Sequence, residues 1–92
     1  MPSYNDIILG YYGADHQLKK SCEECAELIV AITHHLEGRE NARREILEEV
    51  ADVEIMTSQI RQIFGITQDE IGDLKAAKME RQLRRLQCQG SS

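Results

Sequence analysis

The chain contains no tryptophan, one phenylalanine and one proline, and its three tyrosines all fall within the first twelve residues. So few rings give no platform for stacking successive bases of a nucleic-acid strand. The single proline is Pro2, so nothing inside the chain breaks a helix outright. Long apolar runs are missing as well. Ile7-Ile8-Leu9 falls far short of the roughly 18 residues of a membrane span. With no basic residue before it, that run does not read as the core of a secretory signal either. Three cysteines cannot all pair with one another. The expectation is a soluble cytoplasmic protein with reduced thiols and no membrane partner. Excess positive charge is also lacking, with a formal net charge of −5 and a pI near 5.1. That balance repels a phosphate backbone and argues against a general nucleic-acid partner.

What is present is helical periodicity. Ninety-two residues make one small domain, residues 1–92. A domain of this size buries only about 60–65% of its unfolded surface. Such chains are commonly reinforced by a disulfide, a metal or oligomerisation. Glycines divide the sequence into four segments. Ser3, with Asp6 three positions on, starts the first, which runs through Ile7, Ile8, Leu9 and Tyr12 to Gly13. The second extends from about Ala14 to Leu36, ahead of Gly38. Its residues Leu18, Cys22, Cys25, Ile29, Ile32 and Leu36 step by three and four, the helical period, and predict its packed face. Leu28, Val30 and Ala31 add apolar surface elsewhere, so this helix needs neighbours on more than one side.

The third segment follows Asn41, read as an N-cap, and ends at Phe64 before Gly65, with Ile46, Val50, Val53, Thr57, Ile60 and Phe64 in period. The fourth opens on Thr67-Gln68-Asp69-Glu70, a capping box, and continues through Ile71, Leu74, Leu83 and Leu86, with residues 88–92 expected as a frayed tail. No strand pattern competes. The fold class is all-α, two long helices in a hairpin flanked by shorter ones, with spare apolar area for a second copy to cover.

Two acidic pairs stand out. Glu24 and Glu27 lie one turn apart on one side of the second helix, beside Leu28 and Ala31. Glu49 and Asp52 repeat the arrangement on the third, beside Val53 and Met56. Twenty-one residues separate Glu27 from Glu49, enough for a short run of helix out, a loop and a run back. In an antiparallel hairpin the pairs sit at similar heights. Four converging carboxylates repel one another and raise one another's pKa values unless a divalent cation neutralises them. Oxygen-only ligands favour Mg²⁺ or Mn²⁺. Glu23, Glu45, Glu48 and Glu54 read as helix-surface charges.

Glu23-Glu24-Cys25-Ala26-Glu27 followed by Glu48-Glu49-Val50-Ala51-Asp52 resembles the EExxE…ExxD signature of MazG-like nucleoside triphosphate pyrophosphohydrolases. The likeness runs from about Tyr12 to Arg85 and is greatest to the short phage- or prophage-type members. The resemblance implies a dimer, or a dimer of dimers, whose paired helices form a four-helix bundle. It implies a Mg²⁺-dependent reaction in which a metal-activated water cleaves a nucleoside triphosphate to the monophosphate and pyrophosphate. It assigns Glu24, Glu27, Glu49 and Asp52 as metal ligands and Glu23 as an accessory catalytic residue beside Glu24. A basic pattern on the family's last helix faces the phosphates. Here Lys78 and Arg85 stand in that pattern, with Gln82 where asparagine is usual. A lysine and a forked arginine suit phosphate oxygens, although basic residues also favour a helix C-terminus for dipole reasons.

Cys22 and Cys25 form a C-x-x-C. Zinc needs a second ligand pair, which His16, His34, His35 and Cys88 do not supply at a familiar spacing. A redox pair belongs at a helix start after a strand. These thiols lie mid-helix on the apolar stripe, so core packing is expected. His34 and His35 read as helix-end surface. Gln17 and Tyr12 are candidates to line a nucleotide pocket, against ordinary packing. A non-catalytic or nucleotide-binding helical oligomer is the rival reading, and a zinc- or thiol-dependent regulator resting on Cys22 and Cys25 the third.

Overall fold

The computed structural model describes residues 1–90, and among them every regular element is a helix. Ser3 Oγ accepts from the Asp6 amide while the Asp6 carboxylate accepts from the Ser3 amide, and this reciprocal box opens α1 (Tyr4–Tyr12). Gly13, at φ +87°, closes α1 and immediately starts α2 (Ala14–Leu36), a conformation only glycine adopts without strain. A short turn leads to α3 (Ala42–Phe64). Gly65, at φ +62°, then makes an elbow, and the Thr67–Glu70 box opens α4 (Gln68–Gly90).

Two local expectations need correction. Asn41 occupies the N-cap position of α3 but makes no capping hydrogen bond through its side chain, because its own backbone is left-handed at φ +63°. Asparagine tolerates that conformation better than most residues. α4 is not a shorter flanking helix: it has 23 residues, as many as α2 or α3. It continues to Gly90, and the remainder of the expected tail, Ser91 and Ser92, lies outside the described residues.

α2 and α3 run antiparallel. Gln17 faces Gln59, Glu24 faces Asp52 and His34 faces Glu45, so positions rise on one helix as they fall on the other. The seam is not the face the apolar stripes predict. Inward from α2 point Gln17, Ser21, Glu24 and Ala31, and from α3 Ala42, Met56 and Gln59. Ser21, Ala31 and Ala42 are small and let the backbones approach. Ile29 and Leu36, expected inside, are 66% and 78% exposed. Cys22, Cys25 and Cys88 are exposed too, so the thiols do not pack in this chain's core. α2 is rotated about one position from the face predicted for it, leaving Cys22, Ile29, Ile32 and Leu36 outside, while Ile46, Val53 and Ile60 of the stripe predicted for α3 stay half-buried.

α1 is fastened to α3 by Asn5 Nδ2 donating to Ser58 Oγ (3.0 Å) and by Gln62 Nε2 donating to Asp6. α4 is different. Apart from the elbow, where Arg61 Nη1 donates to Gln68 Oε1 (3.0 Å), it packs against no other helix among the described residues. The radius of gyration is 17.2 Å, against about 12 Å for a compact domain of this length. Accessible surface is 7412 Å², against about 5,400 Å² for a compact monomer of this mass. No described helix is long and apolar enough to cross a membrane.

The seam yields a stability prediction. Ala31 is 2% exposed where α2 meets α3. Ala31→Leu is expected to lower unfolding free energy by about 1–3 kcal/mol in urea titration, through overpacking. No loss would mean that the helices do not meet there.

Candidate metal centre and adjoining pocket

The antiparallel register carries three carboxylates to one point halfway along the hairpin. One oxygen from each of Glu24, Glu49 and Asp52 lies within 4.8 Å of the others. Glu24 is 8% exposed, and Glu49 and Asp52 are half-buried. Lys20 Nζ approaches Glu24 Oε1 at 3.3 Å and Glu23 at 3.7 Å. Glu24 Oε2 and Glu49 Oε2 are fully buried with no hydrogen-bond partner.

The electrostatics follow from that placement. Burial, then the charges of Glu27, Asp52 and Glu24, push the Glu49 carboxyl above its ordinary 4.5. Burial first, then Glu24, raises Asp52 above 3.8, with Lys20 opposing. The Lys20 ammonium is pushed up by its hydrogen bond to Glu24. Contacts between Glu49 and Glu27, and between Asp52 and Glu24, become hydrogen bonds only when one carboxyl of the pair holds a proton. Fully ionised, the cluster has no donor between its members, which is why two oxygens stay orphaned.

That donor set fits a hard divalent cation. All the ligand atoms are carboxylate oxygens, and their spread is close to the about 3–4 Å between ligands on one octahedral ion. A buried oxygen without a donor is a costly feature that a cation would relieve.

The pocket beside the cluster measures about 590 Å³. Tyr4, Ile8 and Tyr12 from α1 and Ile55 and Met56 from α3 supply apolar wall, while Glu24 and Asp52 join it to the cluster. Gln17 and Gln59 are buried in its lining, Gln59 to 1% exposure, with Gln17 Nε2 donating to Gln59 Oε1 at 2.9 Å. Ser21 Oγ donates to the Gln17 carbonyl (2.8 Å), and His16 Nδ1 lies 2.7 Å from Gln17 Oε1. The His16 ring stacks on Tyr12 with centroids 4.7 Å apart.

The expected site residues therefore separate into groups. Glu24, Glu49 and Asp52 come together; Glu27, exposed, stands at the edge beside Glu49 and outside the trio. Glu23 lies on the exposed pocket rim, and Gln17 lines the pocket. Lys78, Gln82 and Arg85 are exposed along α4, which does not pack on the hairpin that carries the cluster. Glu45, read as surface, pairs with His34 at 2.7 Å. Sequence reasoning missed Lys20 and Gln59. Lys20 was detectable as the residue four before Glu24, and Gln59 as the next inward position, one turn after Met56. No family model, curated protein or solved structure matches this chain.

Because the Glu49 and Asp52 pKa values are raised on folding, their contribution to stability is present below about pH 4 and lost as pH rises through the raised values. Glu49→Gln removes one of these charges. In metal-free buffer the variant should therefore melt higher than wild type, by a margin that widens from about pH 4 to pH 7. Millimolar Mg²⁺ should raise the wild-type Tm and narrow the gap. A gap independent of pH and of Mg²⁺ would show that the carboxylates do not act on one another.

Proposed function

We propose that this chain is a divalent-metal-dependent nucleoside triphosphate pyrophosphohydrolase of the MazG-like kind, working as a homo-oligomer in the cytoplasm, where free thiols stay reduced. One observation carries the reading: three carboxylates from two helices converge with two buried, unpartnered oxygens beside a nucleoside-sized pocket. The spacing of the acidic motifs supports it independently, through the resemblance described above.

In this reading Glu24, Glu49 and Asp52 hold Mg²⁺ or Mn²⁺, and Glu27 extends the set from its place beside Glu49. The cation would supply charge neutralisation for the phosphates and acidify a water at neutral pH. Lys20 offsets the charge on Glu24 and holds that carboxylate in place. Glu23, exposed at the pocket rim, would serve as the accessory proton acceptor. The apolar wall of Tyr4, Ile8, Tyr12 and Met56 shields one side of the nucleoside from water, with the Gln17–Gln59 amides offering hydrogen bonds.

The oligomer has its own support. The chain exposes about 2,000 Å² more than a compact monomer would. Buried on two chains, that area falls within the range of obligate dimers, about 2,000–5,000 Å² in total. A paired arrangement of α2 and α3 would form a four-helix bundle with the apolar stripes of Cys22, Ile29 and Leu36 inside. A non-catalytic helical oligomer shares this support, but has no use for the orphaned carboxylates.

The test of the reaction is a pyrophosphate-release screen over common ribo- and deoxyribonucleoside triphosphates, with Mg²⁺, Mn²⁺ or EDTA. Turnover to monophosphate and pyrophosphate is expected only with metal, and Glu24→Gln or Glu49→Gln should reduce it by about a hundredfold or more. Unchanged turnover in either variant would refute the metal assignment. Light scattering should give at least twice the 10.5 kDa chain mass at micromolar concentration; a folded monomer would remove the oligomer.

A further inference from the structure

The pocket beside the carboxylates holds a directed set of hydrogen bonds that the metal reading does not use. Gln59 of α3 is 1% exposed and Gln17 of α2 is 5% exposed, and both lie in the pocket wall. Buried amides are costly unless their polar ends are met. Gln17 Nε2 donates to Gln59 Oε1 at 2.9 Å. Gln17 Oε1 is the end turned toward His16, whose Nδ1 lies 2.7 Å away. An amide oxygen only accepts, so the hydrogen sits on His16 Nδ1. That nitrogen carries a hydrogen in the charged ring and in one of the two neutral tautomers. The ring is itself held against Tyr12, stacked with centroids 4.7 Å apart and planes at 17°.

The direction of this relay decides what Gln59 offers. His16 donates to Gln17, Gln17 donates to Gln59, and Gln59 Oε1 is occupied. Gln59 Nε2 is left at the end of the chain, with no protein partner among the described residues. A glutamine free to turn exchanges donor for acceptor and reads either kind of group. Here a turn of Gln59 would set its Nε2 against Gln17 Nε2, donor against donor. A turn of Gln17 would do the same against His16. The relay therefore fixes a donor toward the pocket. Its place suits a base. Gln59 is seven residues from Asp52 on α3, and Gln17 is seven from Glu24 on α2. Seven residues are about two turns, so the amides stand about 10 Å from the carboxylates on the same face.

Resting on the nucleotide reading above, we infer that Gln59 Nε2 is the base-reading donor of this pocket. The substrate class is then nucleotides of uracil, thymine, guanine or hypoxanthine. These bases carry a carbonyl where cytosine and adenine carry an exocyclic amine. The amine would meet the amide donor against donor and leave both unpaired. Gln17 and His16 are positioning residues, which act by holding Gln59 in one orientation.

Nucleoside monophosphates test this without turnover, because they keep the base and sugar. Uridine and cytidine monophosphate form one pair and inosine and adenosine monophosphate the other, carbonyl against amine in each. They are titrated, with Mg²⁺, into nitrogen-15-labelled protein followed by NMR. The carbonyl member of each pair should bind about tenfold or more tightly than the amine. It should also shift the Gln59 side-chain amide signal, identified by its loss in Gln59→Leu. His16→Phe keeps a ring on Tyr12 but removes the donor that sets the relay. In that variant, shown helical by circular dichroism, binding should persist while the carbonyl-to-amine ratio falls toward one. Equal binding within both pairs, preference for the amine, or no binding of any of the four overturns the inference. So does an unchanged ratio in His16→Phe. Should the triphosphate panel show turnover, the same order is expected in kcat/KM. Silence there beside selective binding of monophosphates would fault the reaction and leave the base reading standing.

Discussion

Glu24, Glu49 and Asp52 repel one another, and the contact between α2 and α3 holds them together regardless. Everything else in the molecule follows from how that contact is made. A purely apolar seam is non-directional and can slide. This seam is pinned by directional pairs, Gln17 with Gln59 on one side of the cluster and His34 with Glu45 on the other. Between the two pins the register cannot shift by a turn without losing both, so the three carboxylates are kept opposite one another. Buried polar networks of this kind specify geometry rather than add net stability.

Giving the seam to polar and small side chains has a consequence for the outside. The volume that would ordinarily be core is displaced outward, onto the stripe of Cys22, Ile29 and Leu36 on α2 and onto Leu47 and Val50 on α3. A 92-residue chain has little apolar surface to spare, and here much of it is unpartnered. The same geometry that assembles the acidic centre therefore leaves the isolated chain short of a core. The acidic centre and the exposed apolar stripe are two results of one choice of face.

The helix boundaries were legible because they are set locally. Gly13, Gly65 and the two capping boxes act over three or four residues, and their chemistry does not depend on the rest of the fold. The face that α2 turns toward α3 was not legible. Periodicity finds every stripe on a helix, and α2 has two. Nothing in the spacing of Leu18, Cys22 and Cys25 tells whether they meet α3 or something beyond the chain. The acidic pairs escaped this ambiguity because their sector includes Leu28 and Ala31, on the face that packs. Gln59 was overlooked since glutamine at an inward position is indistinguishable from surface until its partner, Gln17, is placed. The position of Lys78, Gln82 and Arg85 relative to the acids depends on the direction taken at Gly65, which a single glycine leaves open.

The net charge of −5 conceals a segregated molecule. From Glu23 to Glu54 ten acidic residues stand against three arginines, and the excess reverses along α4. Opposite charges on one flexible chain would ordinarily collapse onto each other. In this structure the chain turns at Gly65 so that α4 runs away from the hairpin, with the Arg61–Gln68 side-chain hydrogen bond crossing the elbow. The attraction is strongest where the carboxylates are least solvated, so the same desolvation that raises the Glu49 and Asp52 pKa values also makes their centre the place where an incoming cation, metal ion or basic side chain, gains most.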